Sequence, residues 1–235
     1  MAVVRAAIAT LRDVFRYLPA NPWERSPIET CGDPPDRRDP ELRGVVPDRP
    51  NRAFDIMDVL RRVVDRGSLF ELSPEYGRSL ITALARMDGH TVAVMANQSM
   101  HMGGVIDVAA AIKASRLLGL CDFFGLPVVC FLDTPGVITT KDQKHRRLMR
   151  HVFDWAIARL KRPVPKVSVV VRKAYGYALF GMGAGDPEGY TFAWPTAQIA
   201  FMGPEPALRV AFAPPDRGRR RSPCVPGGDG RAAAP

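Results

Sequence analysis

The chain has 235 residues, 46% of them hydrophobic and 24% charged, enough to bury one sizeable core with tails but not several domains. Its formal charge of +9 invites a nucleic-acid reading. No zinc-finger spacing, RNA-binding aromatic strand or clear helix-turn-helix accompanies the charge, so an anionic small molecule or an acidic partner surface is the better use for it. No apolar run has the length of a membrane span and the N-terminus lacks the order of a signal peptide. Cys31, Cys121, Cys130 and Cys224 form no C-x-x-C pair, so the expected location is the reducing cytoplasm, with Cys121 and Cys130 as buried thiols.

Residues Ala2 to Leu18 place Val4, Ile8, Leu11 and Phe15 at helical spacing and predict an amphipathic helix that Pro19 ends. Residues 19–50 are rich in Pro, Asp and Arg and read as an extended linker. The helix over 1–18 therefore reads as the residue of a missing N-terminal domain. Asp55 can cap a helix bearing Ile56, Val59, Leu60 and Val63 on one face, stopped by Gly67. Ser68–Leu72, Leu80–Arg86 and Thr91–Ala96 predict strands, the last two joined by an Asp88-Gly89 hairpin turn. A helix follows over about Val108 to Phe124, presenting Ile112, Leu117, Leu120 and Phe124, with Gly125 as its stop. Strand Val128–Leu132, a basic helical segment, helix Leu148–Leu160 and strand Val167–Val171 come next, with Pro163 and Pro165 before the last strand. A further helix starts near Ala178. This order predicts an α/β domain with a mixed sheet over 51–213. Residues 214–235, mostly Pro, Gly, Arg and Ala, are expected to be a disordered tail.

The chemistry concentrates between Val128 and Trp194. Two short β-branched runs each end in a glycine turn, Asp133-Thr134-Pro135-Gly136-Val137 and Arg172-Lys173-Ala174-Tyr175-Gly176-Tyr177-Ala178. A βαβ connection puts both turns on one side of a parallel sheet. Backbone N–H groups there can hold an anionic oxygen; plain strand-to-loop turns and close packing are the alternative. A third glycine loop, at Met100, Met102, Gly103 and Gly104, lines a ligand or is a simple crossing. The Asp-Thr-Pro-Gly run is like the metal-side motif of GTPases, but no Gly-Lys-Ser/Thr phosphate loop exists, which excludes a nucleotide hydrolase. His145 and His151 lie six apart on the basic helix and do not share a face as a zinc pair does, so no metal site is expected. No Ser-His-Asp set or paired carboxylates emerge, so an enzyme built on this chain would work by backbone oxyanion stabilisation and not by nucleophilic side chains.

The same residues resemble a family. Asp133-Thr134-Pro135-Gly136, Val164-Pro165-Lys166-Val167, Arg172 to Gly176, Ala193-Trp194-Pro195-Thr196-Ala197 and Met202-Gly203 are similar to the carboxyltransferase (β) subunits of biotin-dependent acyl-CoA carboxylases. Tyr17-Leu18-Pro19, Asp39-Pro40-Glu41-Leu42, Val46-Pro47-Asp48, Phe54-Asp55-Ile56 and Ala96-Asn97-Gln98 extend the likeness, which covers roughly Arg5 to Phe212.

The resemblance implies a crotonase-like fold of repeated ββα units, here incomplete at the C-terminus, and the biotin-side domain of the pair such subunits carry. It implies carboxyl transfer from carboxybiotin to an acyl-CoA, with the ureido oxyanion held by backbone N–H groups of Gly136, Val137, Tyr177 and Ala178. Gly104, Val105, Gly176 and Leu179 would line the biotin side. It also implies a biotin carboxylase and biotin carrier subunit as partners, a CoA-binding carboxyltransferase domain in trans, and a homo-oligomer. Where many relatives have Gly-Gly-Ala, this chain has Gly176-Tyr177-Ala178, and a tyrosine takes positive φ at a cost that glycine avoids. A catalytically inactive remnant or non-catalytic assembly subunit is the alternative reading.

Overall fold

The computed structural model describes residues 2–34, 36–47, 49, 51–160 and 164–212. Pro163, expected to precede a strand, and the tail over 214–235, expected to be disordered, lie outside the described residues.

The first helix, α1 (Ala2–Phe15), forms where its periodicity predicts, yet its stripe is not buried. Val4, Ile8, Leu11 and Phe15 are all exposed, and the chain enters the core only at Val14, Tyr17 and Leu18. The linker is an extended strap with one turn of helix, α2 (Leu42–Val45). Arg37 pairs with Asp33 within the strap, while Asp39 and Glu41 pair with Arg62 and so fasten the strap to the next helix. Asp55 caps that helix, α3 (Ile56–Val63), accepting from Met57 N at 2.9 Å, and Ile56, Val59 and Leu60 are fully buried.

Strands β1 (Phe70–Leu72), β2 (Leu80–Met87) and β3 (His90–Asn97) pair antiparallel in sequence. Asp88 and Gly89 take φ of 52° and 76°, the positive values that a primed two-residue turn demands. A single 3-10 turn at Met102–Gly104 leads into α4 (Val108–Phe124), capped by Asp107 at Ala110 N and ended by a left-handed Gly125. The buried face of α4 differs from the expected one. Leu117 is buried, but Ile112, Leu120 and Phe124 are only half-buried, and Ala110, Ala111, Ala114, Leu118 and Cys121 fill the contact instead. Hydrophobicity marked the large residues, while close helix–sheet approach selected the small ones.

Strand β4 (Val128–Thr134) is followed by α5 (Lys141–His145), α6 (Leu148–Leu160) and β5 (Lys166–Tyr175). Arg147 takes φ 58° between the two helices, so His145 and His151 lie on separate helices and not on one. Then come α7 (Tyr177–Gly181) and two short strands without a sequence signal, β6 (Tyr190–Ala193) and β7 (Gln198–Ala200). The sheet runs β1-β2-β3-β4-β5-β6, parallel from β3 onward, and β7 pairs with β5 further along the same strand.

Helices α4 and α6 cover one face of the sheet, meeting Leu84, Met95, Cys130, Leu132 and Val170. Helix α3, Val46 and Phe54 cover the other, meeting Ile81, Val94, Val129, Phe131 and Val171. Burial on both faces is why β2 to β4 read as continuous apolar runs and not as an alternation. A separate unit begins at Pro204, and its described part contains one helix, α8 (Pro204–Ala211). No helix among the described residues is long and apolar enough to cross a membrane.

Candidate active site

Strands β4 and β5 are parallel, so their C-terminal ends open on the same side. A Cβ placed on Gly136 would lie 3.6 Å from the carbonyl oxygen of Tyr175, so the two glycine turns are neighbours. The third loop joins them: Ile106 N donates to Gly136 O and Ile138 N to Ile106 O, each at 3.0 Å. A Cβ on Gly104 would stand 2.4 Å from Asp133 O at a φ of 78°, a position only glycine fills without displacement. The segments Gly104–Val105, Gly136–Val137 and Gly176–Ala178 thus share one rim.

The N–H groups of Val137, Tyr177 and Ala178 meet no acceptor among the described residues. Gly136 differs from the other expected donors, because its N–H donates to Thr134 Oγ1 at 3.2 Å, inside its own turn. The N–H groups of Gly104, Val105, Gly176 and Leu179 are engaged by His101 O, Met102 O, Ala200 O and Gly176 O. Those four residues therefore offer no free N–H, and Leu179 packs half-buried against the helix-side core.

The positive φ of the second turn falls on Gly176 (63°), while Tyr177 is the first residue of α7 and does not adopt one. The tyrosine therefore sits in this turn without backbone strain. Its ring lies between Phe153 at 5.2 Å and Phe180 at 6.4 Å, and burial pushes its phenol pKa up.

Beneath the rim is a buried ion pair. Asp133 is fully buried and accepts from Arg172 Nε at 3.1 Å, Arg172 Nη2 at 2.8 Å and Lys173 N at 3.2 Å. Arg172 also donates to Arg52 O at 2.7 Å and stacks 4.8 Å over the Phe54 ring. Asp133 N donates to Asn97 Oδ1 at 3.2 Å. The β4–β5 register shifts between Leu132 and Thr134, the step at which Asp133 turns to meet Arg172. Next to it, burial lowers the pKa of the Lys173 ammonium. The Asp-Thr-Pro-Gly carboxylate is thus a clamp between strands, occupied by three donors.

A second buried charge cluster escaped sequence reasoning. Asp186 Oδ2 lies 3.2 Å from Lys166 Nζ and 3.6 Å from Arg159 Nε. Arg159 Nη2 donates to Ser168 Oγ, which donates to Met182 O, so the cluster fixes the chain just after α7. No sequence signal marks it, since Arg159 shares its helix with Arg150 and Asp154 and Lys166 opens a strand that also carries Arg172 and Lys173. Elsewhere, Cys31, Asp33 and Asp65 bring possible metal-ligand atoms within 4.8 Å of one another. Both carboxylates are already engaged there, Asp33 by Arg37 and Arg66 and Asp65 by the N–H groups of Asp88 and Gly89, which makes the group a clasp on the linker.

Residues 5–222 match the carboxyl transferase domain family. The pig mitochondrial propionyl-CoA carboxylase beta chain is 38% identical over 207 residues, 88% of this chain and 38% of that one. The methylmalonyl-CoA decarboxylase subunit alpha of Veillonella parvula is 38% identical over 206 residues, 87% of this chain and 40% of that one. The crystal structure of transcarboxylase 12S, described as a hexamer assembly with methylmalonyl-CoA and methylmalonic acid bound, matches with a TM-score of 0.84 at 34% identity. That match covers 88% of this chain and 40% of the other. The chain spans about two fifths of the length of the curated relatives it matches. Its α/β sheet is the crotonase-like fold expected from the sequence.

Proposed function

The chain belongs to the carboxyl transferase domain family, and on that premise we propose that it forms the biotin-side half of a carboxyl transfer between carboxybiotin and an acyl-CoA. The observation that carries this reading is the set of three backbone donors without an acceptor among the described residues, Val137 and Tyr177 half-exposed on the rim and Ala178 buried directly behind it, at the ends of parallel strands. Fixed N–H groups suit an oxygen that gains negative charge during the reaction, since they need no reorganisation as the charge develops. Bound biotin supplies the carboxyl group and a ureido oxygen on which charge collects as that group departs. The chain's part is to hold that oxygen with those donors, and to keep the turns in place through Asp133, Arg172 and Gly104.

In this reading residues 51–213 are the working domain and 19–50 its linker. Carboxybiotin arrives on a carrier subunit, and the acyl-CoA is held by a CoA-binding domain acting in trans within a homo-oligomer. The hexamer assembly of transcarboxylase 12S supports the last point.

The test exploits proline, which removes one N–H and is tolerated at the first position of a helix. Tyr177→Ala and Tyr177→Pro both lose the ring, but only the second loses the donor. Biotin-dependent conversion of methylmalonyl-CoA to propionyl-CoA is measured with the N-terminal domain of a propionyl-CoA carboxylase beta chain supplied in trans. The proline variant should fall about 100-fold or more below the alanine variant in kcat. Equal rates, or no biotin-dependent turnover by the unaltered chain, would overturn the reading.

A further inference from the structure

Between Lys141 and His151 the chain carries five fixed cations, Lys141, Lys144, Arg146, Arg147 and Arg150, against one carboxylate, Asp142. Close to half of the net charge of +9 therefore sits in eleven residues. All five cations are exposed. Among the described residues their one ion pair is Arg150 with Asp154 at 3.8 Å, on the surface, where such a pair neutralises little.

The fold presents this charge beside the candidate site. Gln143 Oε1 accepts from Val108 N at 3.0 Å, which ties α5 to the start of α4, two residues after the Ile106 that bonds the Gly136 turn. Arg147, at φ 58°, turns the chain between α5 and α6. Where the cations end an apolar stripe begins: Met149, Phe153, Ile157 and Leu160 are 46–60% exposed along α6. Phe153 is also the residue whose ring meets Tyr177 at the rim.

We propose that the outer surface of α5 and α6 is a docking face for a partner protein with an acidic rim and an apolar centre, one that presents its bound group to the rim at Val137 and Tyr177. The nature of that bound group rests on the functional reading above; the docking itself does not. Charge and apolar stripe together select the class of partner. A small anion would engage two or three cations and leave the stripe bare, and a nucleic acid would satisfy the cations but not Phe153 and Ile157. A second copy docking through this same face would bring the same cations against their like. For a carboxylate-rich protein surface, the basic cluster raises the encounter rate, by about 10-fold to 1,000-fold at low salt.

The test uses the full chain and the biotinylated carrier domain of a propionyl-CoA carboxylase, in its native form and with its surface Asp and Glu changed to Asn and Gln. Arg146→Glu/Arg150→Glu should lower the association rate with the native carrier by about 10-fold or more in 50 mM salt. That difference should shrink in 300 mM salt, where the charges are screened. Ile157→Ser should instead speed dissociation, and the neutralised carrier should bind all forms slowly. Turnover with free biotin should be unchanged in the double variant, whose fold is checked by circular dichroism. Carrier binding that ignores salt and charge reversal overturns the proposal. So does tighter, arginine-dependent binding of a 20-base-pair DNA or of 3′,5′-ADP, or a homodimer that Ile157→Ser dissociates. Steered carrier binding without turnover on free biotin sinks the functional reading and leaves the docking face standing.

Discussion

Replacing Arg172 by methionine is the sharpest perturbation of the frame beneath the rim. The methionine keeps an unbranched chain over the Phe54 ring but removes two of the three donors to Asp133, those at 2.8 and 3.1 Å. What remains is a fully buried carboxylate with one backbone N–H, from Lys173 at 3.2 Å. Removing one partner of a buried pair costs about 3–5 kcal/mol because the other charge stays behind. The retained packing on Phe54 argues for the lower end, about 3 kcal/mol. At about 2–4 °C per kcal/mol for a domain of this size, the midpoint of thermal unfolding should fall by roughly 6–12 °C. Urea denaturation should show the loss with an unchanged slope. The double variant Asp133→Asn/Arg172→Met removes both charges and should recover more than half of it. A single variant within about 1 kcal/mol of the parent, or a double variant that simply adds the two single losses, refutes the account of a buried clamp.

The glycines of the rim should differ in tolerance. Gly104→Ala meets Asp133 O at 2.4 Å and a φ of 78°, so it should cost about 2 kcal/mol or more, whereas Gly103→Ala, at a φ of 65° with no atom within 4 Å, carries the backbone strain alone and should cost less; thermal melts in the opposite order would contradict the loop geometry. Cys121 and Cys130 are buried, and burial raises the Cys130 thiol pKa. In a Cys224→Ser background, Ellman's reagent should therefore label Cys31 alone until denaturant is added. Asp33 is held below the usual carboxylate range chiefly by the Arg66 N–H, and Asp39 chiefly by the Arg62 guanidinium. Carboxyls lowered in this way stabilise the fold at pH above about 4 and lose that contribution as the pH falls through their depressed values. Hydrogen exchange in the linker should accordingly rise below about pH 4 before the sheet opens; simultaneous opening of both would count against the clasp.

What could be read in advance was local. Asp55, Asp88-Gly89 and Gly125 each enforce one conformation through their own chemistry, and the start of α3, the hairpin and the end of α4 fall where those residues predict, whereas α3 ends at Val63, before the Gly67 expected to stop it. The rim was legible in outline because two β-branched runs with glycine ends must open on the same side of a parallel sheet. Long-range pairing was not legible. Nothing near Asp133 in sequence announces Arg172, 39 residues later, or makes Gly136 turn its N–H onto Thr134. Strand β5 runs on to Tyr175, past the Val171 at which its β-branched run ends, because Arg172 and Lys173 find partners on β4 and β7. The strands β6 and β7, of four and three residues, exist because β5 offers them an edge.

That edge has a consequence for how the chain behaves in concentrated solution. Tyr190, Phe192 and Ile199 are exposed on β6 and β7, and among the described residues no strand pairs beyond these two; an open row of backbone groups bearing aromatic and branched side chains is a template for uncontrolled strand addition. Here the row is interrupted. Between the two strands lie Trp194 to Ala197, where Trp194 N is bonded back to Val170 O, Thr196 Oγ1 to Val171 O, and Pro195 has no N–H to offer. Each remaining run is shorter than the six or seven residues a steric zipper needs. The Trp-Pro-Thr kink therefore acts as a gatekeeper against fibril growth. Straightening it, for example with Pro195→Val, would join two harmless fragments into one continuous sticky edge.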